Sequence, residues 1–142
     1  MMASLKRNTG TLTYLLIKFA IVSIVVLLVA SCSSNYGTKL KFKKGELFYT
    51  ENAKKEDAEK LGKYLTEKGF YSDDKETSGQ LDAKGDTVLF RFVTIDSYLD
   101  KPDFIDIWKR TAADMSQQLF NNKPVTIHFC DKYLKTERVI PM

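Results

Sequence analysis

The chain has 142 residues, room for one domain rather than two, with a formal charge of +4 and 44% hydrophobic content. The surplus of base lies in the first 31 residues, where Lys6, Arg7 and Lys18 meet no acid; the rest is nearly neutral and lacks the basic footprint of a nucleic-acid binder. Nine Phe and seven Tyr exclude a disordered chain, while one His and two Cys exclude the usual all-protein zinc sites and a disulfide framework.

The three early bases precede an apolar run, FAIVSIVVLLVA, over residues 19–30. A basic n-region, a short apolar h-region and small residues at a cut point describe a secretory signal, and the run is short of the roughly 20 residues that span a bilayer. Val29-Ala30-Ser31-Cys32 follows. This resembles the lipobox of bacterial lipoproteins: an apolar or branched residue, two small ones, then the acceptor cysteine. The resemblance implies that residues 1–31 are a signal peptide and that Cys32 is acylated and becomes the N-terminus. It also implies a domain anchored by lipid in the cell envelope, facing the periplasm or the exterior. Ser33 after the cysteine, with no acid before Glu46, favours the outer membrane by the same resemblance. The plainer alternative is an uncleaved anchor over residues 12–30, which carries Lys18 inside the span at a cost. Residues 32–38 read as the lipidated N-terminus and a polar tether.

Residues 39–142 read as a single α+β domain. Lys39 to Lys43 alternates base and apolar in the period of a half-exposed strand, and Glu46 to Thr50 is strand-like too. Lys44-Gly45 between them fits either a tight turn or a bulge. Residues 54–68 read as a helix with Ala58, Leu61 and Leu65 on one face. Gly62 falls on that face and predicts close approach to a sheet beneath, and Gly69 suits a left-handed helix end. Residues 79–82 and 87–94 predict a hairpin with Gly85 at its left-handed position. Pro102 opens a second helix, whose periodic apolar residues run through Trp108, Ala112, Met115 and Leu119 to a stop at Asn121-Asn122 and Pro124. Val125, Ile127 and Phe129 predict a strand, and residues 135–140 a further C-terminal one.

The expected fold is a ferredoxin-like βαββαβ two-layer sandwich, with two helices on one face of an antiparallel sheet. The stretch from Lys44-Gly45-Glu46 through the first helix to Gly85-Asp86 also resembles small modules of bacterial membrane-anchored proteins that carry no known activity.

Few residues offer chemistry. Thr126, His128 and Cys130 share one side of a strand, so His128 and Cys130 are within reach of each other, but nothing supplies an orienting third group or an oxyanion hole. A polar sheet-face histidine and a buried, inert thiol are the favoured readings, and no catalytic residue, metal site or cofactor is assigned. Asp73-Asp74 and Asp82 with Asp86 read as turn residues, lacking the spacing of a calcium loop. The row Lys39, Lys41, Lys43 reads as a solvated strand face ahead of a lipid-facing one.

The informative strand is the one through residues 87–94. If Val88, Phe90 and Phe92 point to the helices, then Leu89, Arg91 and Val93 point away, onto a face that ought to be polar. That face is expected to be covered, by the chain's own tail (Tyr133, Leu134, Val139, Ile140) or by a partner. The reading is a lipid-anchored envelope protein, bound to the membrane by its lipid, whose domain is a non-catalytic interaction module for an envelope partner. The alternatives are a structural accessory subunit of an envelope complex or, third, a small enzyme using His128 and Cys130.

Overall fold

The structure is a computed structural model and describes residues 35–141. Residues 1–31, read above as a signal peptide, with the Val29-Ala30-Ser31 motif and Cys32, lie outside the described residues. Among the described residues no helix is long and apolar enough to cross a membrane.

The chain enters through β1 (Thr38–Phe42) and β2 (Gly45–Tyr49), an antiparallel pair in which Phe42 stands opposite Gly45. The turn is therefore Lys43-Lys44, with Lys43 at φ 55°. Gly45 serves packing instead: an added Cβ would lie 2.0 Å from the ring of Tyr71, which is fully buried. The glycine is there for a neighbour brought in by tertiary folding, which is why the local sequence left its role open.

Helix α1 (Lys55–Glu67) buries Ala58, Leu61, Gly62, Tyr64 and Leu65. Its end is closed by Gly69 at φ 78°, with the Phe70 amide donating to Leu65 O at 2.8 Å and the Gly69 amide to Thr66 O at 3.0 Å. These two bonds satisfy carbonyls the helix leaves open, and only glycine takes that backbone cheaply. Gly62 does allow a close approach, to the Phe42 ring of β1.

β3 (Ser78–Lys84) and β4 (Thr87–Val93) form the expected hairpin, with Gly85 at φ 59°. A single turn of helix, α2 (Asp96–Leu99), precedes α3 (Pro102–Leu119), which begins on Pro102 and buries Trp108, Ala112, Met115 and Ser116. Asn121 and Asn122 at φ 53° and 63° end it, held by the Asn122 amide on Ser116 O and the Ser116 hydroxyl on Lys123 O. β5 (Val125–Cys130) and β6 (Thr136–Ile140) complete the chain.

Among the described residues the architecture is mixed α+β: one six-stranded sheet with three helices, its strands in the order β1-β2-β3-β4-β5-β6. It is not the ferredoxin-like βαββαβ sandwich, nor is the sheet antiparallel throughout. β2 pairs parallel with β3, and β4 parallel with β5. In a split βαβ unit another strand lies between the two that a helix connects. Here each crossover lands on the adjacent position, and β1 and β6 extend the edges. Helical and strand periodicity are identical in the two cases, so only the pairing distinguishes them.

The buried side chains of α1 and α3 join those of the strands in one apolar cluster, Leu47, Leu61, Leu81, Phe90, Met115 and Ile127 among them. Alternation is strict in β4, where Val88, Phe90 and Phe92 are buried and Leu89, Arg91 and Val93 are half-buried. The C-terminal tail does not cover the second set. It pairs with β5 as an edge strand, burying Ile140 while Val139 stays 47% and Tyr133 62% exposed. A segment with alternating burial satisfies its backbone by joining the ladder, which lying across a face would not allow.

Candidate functional site

Pairing sets Leu89, Arg91 and Val93 among partners from every strand. A row of directly opposed residues crosses the sheet as Lys39, Phe48, Gln80, Arg91, His128 and Val139. Beside it, Asp82, Leu89 and Thr126 are opposed on one side, and Val93, Cys130 and Thr136 on the other.

Arg91 is held in place. Its Nη1 donates to Asp82 Oδ2 at 3.0 Å and to Gln80 Oε1 at 3.1 Å. The two partners of this ion pair are only 20% and 17% exposed, so solvent screens it less than a surface pair. Asp82 Oδ1 also accepts the Thr50 hydroxyl at 2.5 Å, the Asn52 side-chain amide at 3.2 Å and the Ala83 backbone amide at 2.9 Å. Burial by itself would raise the carboxyl's pKa; the bonds from Thr50, Arg91, Asn52 and Ala83 outweigh it and hold the pKa at about 2. Gln80, itself buried, donates from Nε2 to Tyr36 O at 2.9 Å, and the Tyr36 ring packs on Phe48 at 5.7 Å. Tyr36 thus covers part of the face from within the stretch read as tether. The Asp82–Arg91–Gln80 arrangement was missed because Asp82 looked like a turn residue. Its signal was the hairpin register, which sets residues 80 and 82 beside Arg91.

The described residues engage only Nη1 of the guanidinium, so the Nε and Nη2 N–H groups remain to be met by another acceptor. Around them lie Leu89, Val93, Phe48 and Val139, none fully buried. The face thus sets a fixed, directional cation beside apolar groups, within a row that also carries Lys39, Gln80 and His128.

His128 and Cys130 do not form a dyad. Both turn to Thr136, whose Oγ1 lies 3.0 Å from His128 Nδ1 and 3.9 Å from Cys130 Sγ. Burial first, and then the Arg91 charge, lower the His128 pKa against a smaller pull from Asp82. Cys130 is fully buried, and that burial pushes its thiol up, away from thiolate. The other sequence candidates are scattered. Lys39 pairs with Glu46 at 2.9 Å and Lys43 with Asp73 at 3.5 Å, while Lys41 is exposed. Among the described residues no group of three or more His, Cys, Asp or Glu is placed to hold a metal ion.

The sheet and its pinned arginine define an α+β domain with an organised polar cluster on one face. Residues 39–139 match AF_1994_N, a family N-terminal domain. The match spans more than half of the chain, and the chain belongs to this family. No curated protein and no solved structure matches it.

Proposed function

We propose that this is a lipid-anchored cell-envelope protein whose α+β domain is a non-catalytic binding module for a protein partner. In this reading α1 and α3 lie over the face of Val88, Phe90 and Phe92, and the opposite face is the interaction surface. The carrying observation is Arg91, fixed by Asp82 and Gln80 with Nε and Nη2 left to bond outward between half-buried Leu89 and Val93. Arginine with its stem among apolar groups is typical of interface centres, and pre-fixing it lowers the ordering cost of binding. The partner group that fits is a carboxylate or backbone carbonyl flanked by apolar side chains. Anchorage rests on the sequence Val29-Ala30-Ser31-Cys32 behind a basic and apolar leader. The non-catalytic part rests on the burial of the Cys130 thiol and its raised pKa.

The test is cross-linking in intact cells of the full chain, with intact-mass measurement of the extracted protein. Loss of residues 1–31 with added acyl mass is expected, and an unmodified full-length chain overturns the anchor. Leu89→Asp and the more exposed Val139→Asp should abolish the cross-linked species while leaving the urea midpoint nearly unchanged. Retained cross-linking in both, or unfolding of both, removes the interaction face.

A further inference from the structure

A second surface lies away from Arg91, where α1, α3 and the ends of β3 and β4 meet. Two concavities of about 620 and 720 Å³ open there and share Phe70, Phe104 and Trp108 as a common floor. Phe70 is the hub. Its ring lies 5.4 Å from Trp108, 5.2 Å from Phe92 and 6.0 Å from Phe90, yet it is only partly buried. Three of the chain's large exposed apolar side chains rim the same place: Ile95 at 61%, Ile107 at 52% and Tyr98 at 38%. A soluble domain seldom leaves aromatic and branched side chains gathered around a groove without an occupant.

The charges on the lining indicate what kind of occupant fits. One lobe carries Lys68, Arg110 and Asp114; the other carries Lys75, Lys132 and Glu76. Asp114 is already engaged by the Tyr64 hydroxyl at 2.5 Å, the Gln118 amide at 2.5 Å and Lys68 at 3.8 Å. Lys75, Arg110 and Lys132 form no ion pair among the described residues. Glu76 forms no ion pair among the described residues either, so each lobe carries two cations to one acid, around an aromatic middle. The groove also sits at the end of the sheet marked by Ser78 and Val93. A concavity with an aromatic middle and cations toward both ends is complemented by a short protein segment that sets apolar side chains in the middle and carboxylates at its ends.

We infer that this groove docks a partner segment with an apolar or aromatic centre and carboxylates at both ends, a site that borders the Arg91 face at Val93 and includes neither Leu89 nor Arg91. Trp108 is the chain's single tryptophan and floors both lobes, so its emission reports occupancy directly. The full chain in phosphatidylcholine vesicles is titrated with two synthetic peptides that share a leucine–phenylalanine centre. One ends in glutamates and the other in lysines. The glutamate peptide should shift Trp108 emission saturably and bind about tenfold or more tighter than the lysine peptide. In the double variant Arg110→Glu with Lys132→Glu, the preference should reverse, with an unchanged urea midpoint showing that the fold persists. Equal binding of both peptides, or no reversal in the charge-swapped variant, overturns the inference. A shift produced by phosphatidylglycerol vesicles and by neither peptide also overturns it and assigns the groove to a lipid surface. Because Leu89 and Arg91 are untouched, either failure leaves the test of the Arg91 face intact.

Discussion

Gly62→Ala makes the most demanding prediction. An interior helical glycine replaced by alanine ordinarily stabilises by about 1 kcal/mol. In α1 the new Cβ would sit 2.0 Å from Cε2 and Cζ of Phe42, far inside any real contact. The ring has no easy retreat, since it stacks on Tyr71 at 5.9 Å, and Tyr71 is itself fully buried against Gly45. Overpacking of this kind costs roughly 1–3 kcal/mol. The helical gain offsets part of that, leaving a net loss of about 1 kcal/mol, or about 4–8 °C in Tm for a domain of this size. Phe42→Leu removes the obstructing ring, so Gly62→Ala should turn neutral or stabilising in that background. Urea unfolding of the two single variants and the double variant closes the cycle. If Gly62→Ala raises the midpoint in the otherwise unchanged chain, or costs the same in both backgrounds, the glycine is not there for the ring.

Trp108 is 7% exposed and its ring lies 4.2 Å from that of Phe92, so Trp108→Ala should cost roughly 3–5 kcal/mol in denaturant unfolding. Asp82 has a folded pKa of about 2 against an ordinary 3.8, so the unfolded chain takes up its proton first. Its contribution, about 2 kcal/mol, is complete above pH 3.8 and is lost as pH falls toward 2. Asp82→Asn should flatten the stability profile in that window. His128 is also lowered from 6.5, so its contribution is full above that pH and erodes as pH falls below it, and His128→Gln should remove the slope.

What the sequence determined by itself is local. Ala58, Leu61 and Leu65 at helical spacing, Gly69 after them, Pro102 at the head of α3 and the strict alternation of residues 87–93 each settle an element through contacts within a few residues. The side on which Leu89, Arg91 and Val93 lie followed from that alternation as well, because side chains on a strand change sides every residue. Strand neighbours did not follow. A crossover from β2 to an adjacent β3 and one that skips a position use the same periodicity, and the difference lies in bonds between distant residues such as the Glu46 amide on Thr77 O. Gly45 was read for its turn and works through Tyr71, 26 residues further on. The fixing of Arg91 was equally out of reach, since it needs the register that sets Gln80 opposite Arg91 and brings Thr50 and Asn52 to Asp82. Such contacts join residues far apart in the chain, and their formation depends on packing the whole sheet, which no short window of sequence contains.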